Sequence, residues 1–253
     1  MRIRPMPIAS YAWYLHPFFW NQRRKYGRIL DAALLWGRSP RLFLGVAILY
    51  GMIDRRRSPI EPALRSLITV RVSQINGCAF CVDLNSATLM KRGASMEKIG
   101  ALSTWRSSGL FSERERAALD YAEAVTRSDI QVEEGQFERL RAHFDDDAIV
   151  ELTGLIAFQN LSSKFNSTLA VPPQGFCRLP IVLERASSAE AGHRNDRTVR
   201  QQTAVDQITP SSPTVSASRT ACGEEVSVNS GGKVLGIGAD AHPRTHGPGV
   251  PSR

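Results

Sequence analysis

Aromatic residues are missing from the last 68 positions of this 253-residue chain: from Ala186 to Arg253 there is no Phe, Trp or Tyr, and Leu235 is the only leucine. A segment so poor in large apolar side chains cannot bury enough surface to offset a backbone ordering cost of about 1–2 kcal/mol per residue. Gly, Pro and Ser are scattered through it without period, as in Pro210-Ser211-Ser212-Pro213 and His246-Gly247-Pro248-Gly249, which is the pattern of flexible coil. The expectation is a disordered tail over 186–253, leaving about 185 residues to fold, within the range of a single domain.

Other absences narrow the class. The longest apolar run, Leu42 to Ile53, has twelve residues, well short of the roughly twenty that span a bilayer. Met1 to Ser10 holds two Arg and two Pro instead of a long apolar core, so no secretory signal is read there and a cytoplasmic protein is expected. Hydrophobic residues make up 42% of the chain and charged residues 22%, which excludes collagen-like, disulfide-scaffold and wholly disordered classes. Few segments alternate with period two, and no Gly-rich phosphate loop follows a strand. The expected fold class is all-α, a helical bundle.

The net charge of +8 is unevenly placed. Residues 1–60 hold eleven Arg and Lys against Asp31 and Asp54, whereas 61–185 are slightly acidic. Arg23-Arg24-Lys25 with Trp13, Tyr14, Phe18, Phe19 and Trp20 nearby could contact an anionic surface, but a solvated face on an amphipathic packing helix is the preferred reading. Neither nucleic acid nor membrane is expected as a partner. The expected organisation is a basic helical segment over 1–40, a helical domain over 41–185 and the tail.

Helical periodicity runs through the folded part. Leu64, Leu67, Ile68, Arg71, Val72 and Ile75 form one stripe after Pro62, stopped by Asn76-Gly77. A second helix is predicted from Cys78 to Lys91, and Ser95 caps a short one. Ser112 with Glu115 makes a capping-box signature that opens a helix with Ala118, Leu119, Ala122 and Val125 on one face. A helix over Glu134–Phe144 follows. Asp145-Asp146-Asp147 then places carboxylates where the dipole of the next helix favours them. That last helix, apolar on more than one face through Phe165, is read as central and buried, with Pro172-Pro173 as its stop.

The chemically specific feature is Cys78-Ala79-Phe80-Cys81 at a helix start, where free N–H groups and the positive dipole end favour a thiolate. Such a pair can exchange disulfides, one sulfur attacking and the other resolving. Cys177 and Cys222 stand far off in sequence and no second CxxC exists, which argues against zinc; two buried structural cysteines are the other alternative. Residues 78, 81 and 85 are placed on one face.

The run Leu64-Arg65-Ser66-Leu67-Ile68 through Val72-Ser73-Gln74-Ile75-Asn76-Gly77-Cys78-Ala79-Phe80-Cys81-Val82-Asp83-Leu84 resembles the carboxymuconolactone decarboxylase and alkyl hydroperoxidase D (AhpD-like) superfamily. Phe111-Ser112-Glu113-Arg114-Glu115-Arg116-Ala117-Ala118-Leu119, then Asn160-Leu161-Ser162-Ser163-Lys164-Phe165-Asn166 and Gly175-Phe176-Cys177 extend the resemblance over roughly residues 40–180.

It implies an all-helical fold, trimers or hexamers, no cofactor, and a peroxide-reducing or disulfide-exchanging activity. Cys81 would attack peroxide and Cys78 would resolve it, with a hydroperoxide or disulfide as substrate and an unidentified thiol as reductant. The helix dipole, by contrast, favours Cys78 as the more acidic thiol.

The family's proton relay uses a Glu and a His where this chain has Ser66 and Asn85, neither of which titrates usefully near neutrality. Arg65 or Arg71 is then expected to support the thiolate, and Ser66 to hold at most a water. His16 and His143 are read as surface residues. Asp83 is placed on a different face from Cys81. Asn160, Lys164 and Asn166 are read as a buried hydrogen-bond network or a subunit contact. The alternatives to a thiol peroxidase are a non-catalytic scaffold of the same fold and a lactone decarboxylase, the latter disfavoured by the CxxC pair.

Overall fold

A computed structural model describes residues 1–177 and 183; the predicted tail, with Cys222 and His193, His242 and His246, lies outside them. The described elements are helical: α1 (His16–Tyr26), α2 (Asp31–Trp36), α3 (Pro40–Ile53), α4 (Pro62–Ile75), α5 (Ala79–Lys91), α6 (Met96–Gly100), α7 (Glu113–Thr126), α8 (Glu134–Arg141) and α9 (Asp146–Thr168), with short 3-10 turns before α1 and after α6. No strand occurs among the described residues.

Local chemistry sets the boundaries of the central elements. Pro62 opens α4 in its first turn, where no intrahelical N–H is needed. Gly77 ends it in the left-handed region, at φ 61°, a conformation a side chain would resist. The Cys78 N–H then returns to the Ser73 carbonyl at 3.0 Å. Ser95 and Asp145 cap α6 and α9 through their side chains, and Ser112 with Glu115 forms the expected capping box of α7. α8 stops at Arg141, short of the predicted Phe144. α9 ends at Thr168, ahead of the two prolines, because Ala170 turns left-handed at φ 51° while the Val171 N–H closes on the Asn166 carbonyl.

α4 packs against α5, α7 and α9. Its Leu67, Ile68, Val70 and Val72 are buried with Leu119 and Ala122 of α7 and Leu152 and Ile156 of α9 in one apolar cluster. Each fully buried Leu or Ile side chain contributes about 1.5–3 kcal/mol, so this cluster dominates the fold's stability. Arg71, which interrupts the stripe, is buried and pairs through Nε with Glu123 Oε1 at 2.6 Å.

A second cluster gathers the N-terminal segment around the cysteines. Tyr11, Leu15, Phe19, Trp36 and Phe43 pack in it with Cys78, Phe80, Cys81 and Val171. Phe19 thus makes α1 a packing helix, while Trp13 and Trp20 remain exposed, with Arg24 over the Trp20 ring. The packing continues across residue 40, where the sequence suggested a domain boundary. α3 covers part of α9, but Leu42, Ile48, Leu49 and Met52 stay exposed. No helix among the described residues is long and apolar enough to cross a membrane.

Candidate functional site

The α4–α5 turn places the two cysteines. After Gly77 reverses the chain, Cys78 is extended (φ −91°, ψ 90°) and occupies the N-cap of α5, one position outside the helix in which the sequence placed it. Its sulfur accepts the Cys81 N–H at 3.2 Å, occupying one of the free donors of the first turn. Cys78 and Cys81 are joined by a disulfide, their Cα atoms 5.2 Å apart. Both are buried, 1% and 3% exposed, beneath the aromatic residues of the N-terminal segment. Trp36 stacks on Phe165 of α9, ring centroids 3.6 Å apart, within this cover.

The side chain that reaches the pair comes from α9. Asn166 Nδ2 donates to Cys81 Sγ at 3.4 Å, while its Oδ1 is buried without a hydrogen-bond partner. Sequence reading singled out Asn166 as a polar residue on an apolar helix, but nothing in a pattern links positions 85 residues apart. Its two companions diverge: Lys164 is exposed, and Asn160 accepts from Asn76 Nδ2 at 2.8 Å and donates to Thr126 Oγ1 at 3.2 Å. That second bond set locks the α4–α5 turn onto α9.

The residues at the family's relay positions turn elsewhere. Asn85 Nδ2 donates to Ser73 Oγ at 3.2 Å, and Gln159 Nε2 donates to the same oxygen at 2.9 Å. Ser66 is buried, and its Oγ accepts from Arg92 Nη1 at 2.9 Å. The expected arginine support for a thiolate is also corrected. Arg65 sits beside Asp54, Nε to Oδ1 3.3 Å, and donates to the Arg55 carbonyl. Arg71 is held by Glu123 and by Gln74. Both arginines face acceptors on helix sides set by core packing. His16 and His143 are exposed.

Asp83 does point away from the sulfurs, and its role was not legible. Its carboxylate is 1% exposed and accepts backbone N–H groups from Gln174 at 2.7 Å, Gly175 at 2.8 Å and Cys177 at 2.6 Å. It pins the segment after α9 onto α5, bringing Val171 and Phe176 into the cluster around the cysteines.

Glu123 anchors the opposite side of α4. Burial pushes its carboxyl upward, but the Trp105 hydrogen bond, the Arg71 charge and the contacts with Arg106 outweigh that, and its pKa lies below the ordinary range. Trp105 Nε1 donates to Oε1 at 2.7 Å.

The helical fold and the bonded CxxC pair at a helix start define a disulfide-bearing all-α domain. Residues 40–124 match the carboxymuconolactone decarboxylase family. The Escherichia coli K12 protein YnjA, itself uncharacterized, is 44% identical over 174 residues, covering 69% of this chain and 96% of YnjA. The chain belongs to the carboxymuconolactone decarboxylase and AhpD-like superfamily. Among solved structures, a protein of unknown function from Agrobacterium tumefaciens, named as a candidate AhpD antioxidant-defence protein, is 34% identical. It has a TM-score of 0.53, and the match covers 55% of this chain and 95% of that one. The debrominase Bmp8 shares the fold at 23% identity and a TM-score of 0.60, over 68% of this chain and 91% of its own.

Proposed function

We propose that this protein is a thiol-dependent peroxidase in which Cys81 and Cys78 cycle between dithiol and disulfide. The observation that carries the proposal is the bonded pair at the α5 start, with an amide N–H from Asn166 directed at the Cys81 sulfur. An N–H donor favours the thiolate over the thiol, as does the helix end.

The Cys81 thiolate attacks the outer oxygen of a hydroperoxide, ROOH. The O–O bond breaks, sulfur gains the hydroxyl as a sulfenic acid, and RO⁻ leaves to take a proton as ROH. The Cys78 thiol then attacks that sulfur and displaces water, its proton included, to form the disulfide. Two electrons have passed from the pair to the peroxide. Two thiols of an external reductant return them and become a disulfide themselves.

The family's Glu and His are replaced by Ser66 and Asn85, so proton delivery falls to solvent, and a slower rate than that of relay-bearing members is expected. The exposed Leu42, Ile48 and Leu49 of α3 would supply an apolar face for the trimer or hexamer that family membership implies; sedimentation of Ile48→Glu as a monomer would support that use.

One observation favours a second reading, a structural disulfide in a non-catalytic scaffold. The sulfurs are buried, and the described hydrogen bonds to them come from an amide side chain and a backbone N–H, with no imidazole or carboxylate among them. Hydroperoxide consumption with a thiol reductant separates the two. The peroxidase reading expects turnover by the wild type and none by Cys81→Ser, whereas equal rates for the two proteins would leave the scaffold.

A further inference from the structure

At the end of α4 remote from the cysteines lies a cavity of about 220 Å³ between α3, the start of α4 and α9. Arg65 stands in the first turn of α4, ten residues and about 15 Å of helix before Ile75, so the cavity is separate from the disulfide. Its walls are largely apolar, from Ile53, Ile60, Val150 and Leu155, and the exposed Met52 and Val150 mark its open side.

Arg65 supplies the charge. The residue is 4% exposed, yet its Nε makes no hydrogen bond, although Asp54 Oδ1 lies 3.3 Å away. Asp54 is shared, because Arg92 Nη2 engages both of its oxygens at 2.8 Å. The second carboxylate, Glu151, is held by Arg55 through one oxygen and by Ser58 Oγ at 2.9 Å through the other. Three guanidiniums therefore face two carboxylates, and Arg65 is the most buried of the three. Burial lowers its basicity, with Asp54 acting in the opposite direction. A buried cation whose one carboxylate is shared with a second arginine, and whose other acceptor is the neutral Arg55 carbonyl 2.9 Å from Nη1, calls for another anion.

We propose that this cavity binds a short aliphatic monocarboxylate, its carboxylate on Arg65 and its chain against Ile53, Ile60, Val150 and Leu155. The cavity, about 220 Å³ and open on one side, has room for a chain of a few carbons with its head on Arg65, and a carboxylate of five or six carbons is the length to test. A single negative charge matches the single excess cation. A larger or doubly charged anion would meet Glu151, whose oxygens are already engaged.

The cavity can be closed without touching a charge. Gly154 lines it, and a Cβ there would meet no atom within 4 Å, so Gly154→Leu fills the space from inside a helix that tolerates the change. The experiment is calorimetric titration of the full chain with hexanoate, with 1-hexanol as the uncharged control. Hexanoate is expected to bind, 1-hexanol to bind about tenfold or more weakly for want of the charge-assisted bond, and Gly154→Leu to lose hexanoate binding while its melting temperature is kept or raised. Arg65→Met is expected to equalise the two ligands if it folds. No hexanoate binding, equal binding of hexanoate and hexanol by the wild type, or unaltered binding by Gly154→Leu would each overturn the proposal.

Discussion

Replacing Asn166 by leucine is expected to make the reduced Cys81 thiol less acidic without unfolding the protein. In the structure the Asn166 amide donates to Cys81 Sγ at 3.4 Å, and Asn166 is 2% exposed, so water does not readily take over the role. A hydrogen bond to an ionised acceptor contributes about 1.5–3 kcal/mol, and one pKa unit corresponds to about 1.4 kcal/mol. Losing the donor should therefore disfavour the Cys81 thiolate relative to the thiol. At pH values below the thiol's titration the thiolate population, and with it the alkylation rate, falls by up to about ten- to a hundredfold, because only the thiolate is nucleophilic.

Global stability should move little, within about 1 kcal/mol. The amide already leaves Oδ1 buried and unpartnered, and leucine replaces it with an apolar group of similar size. The assay is the pH dependence of iodoacetamide modification of reduced protein, read at Cys81 by mass spectrometry in a Cys78→Ser background with and without Asn166→Leu. Superimposable pH profiles for the two proteins would refute the assignment of Asn166 as the group that positions and polarises the sulfur.

The other expectations concern the frame around the pair and the lost relay. Asp83→Ala leaves three backbone N–H groups without their acceptor and should cost about 3–5 kcal/mol in urea unfolding, with cleavage by protease appearing first near Gly175; an unchanged midpoint would mean the clamp carries no stability. Glu123 has a folded pKa below its unfolded one, so its contribution is full above the ordinary Glu range near about 4.3 and is lost as pH falls through the lower folded value. Melting temperature measured against pH should therefore drop in acid for the wild type, and Glu123→Gln should flatten that drop while costing about 3–5 kcal/mol at neutral pH by removing the negative charge that faces the buried Arg71. Joint Ser66→Glu and Asn85→His substitution should raise peroxidase turnover. Because Arg92 lies 2.9 Å from the Ser66 hydroxyl and would hold the new carboxylate, adding Arg92→Gln should raise it further, a comparison made by steady-state peroxide consumption.

The elements that position the site were legible where local chemistry decides them. Pro62, Asn76-Gly77, Ser95, the Ser112–Glu115 box and Asp145 each act within one turn, so α4 to α7 and α9 begin or end close to where the residues indicate. The surroundings of the cysteines were not legible, because they are built from distant segments. The cover comes from Tyr11, Phe19, Trp36 and Phe43, the donor from Asn166, and the Asp83 clamp from a segment more than ninety residues on. Periodicity assigns a side chain to a face but does not name what that face meets. For the same reason Arg65, adjacent to a relay position in sequence, turns to Asp54 at the far end of its helix. The last aromatic residue, Phe176, falls near the end of the described residues, and within them the aromatic-rich N-terminal segment became the roof of the disulfide.

The most direct test of the central claim is to reduce the full chain, add one equivalent of hydroperoxide, and follow the Cys78–Cys81 bond by intact mass and peptide mapping. The redox account predicts rapid loss of two hydrogens with the bond formed between Cys78 and Cys81, and its reversal by a dithiol. Thiols that remain reduced in the folded protein and react only after unfolding would contradict it.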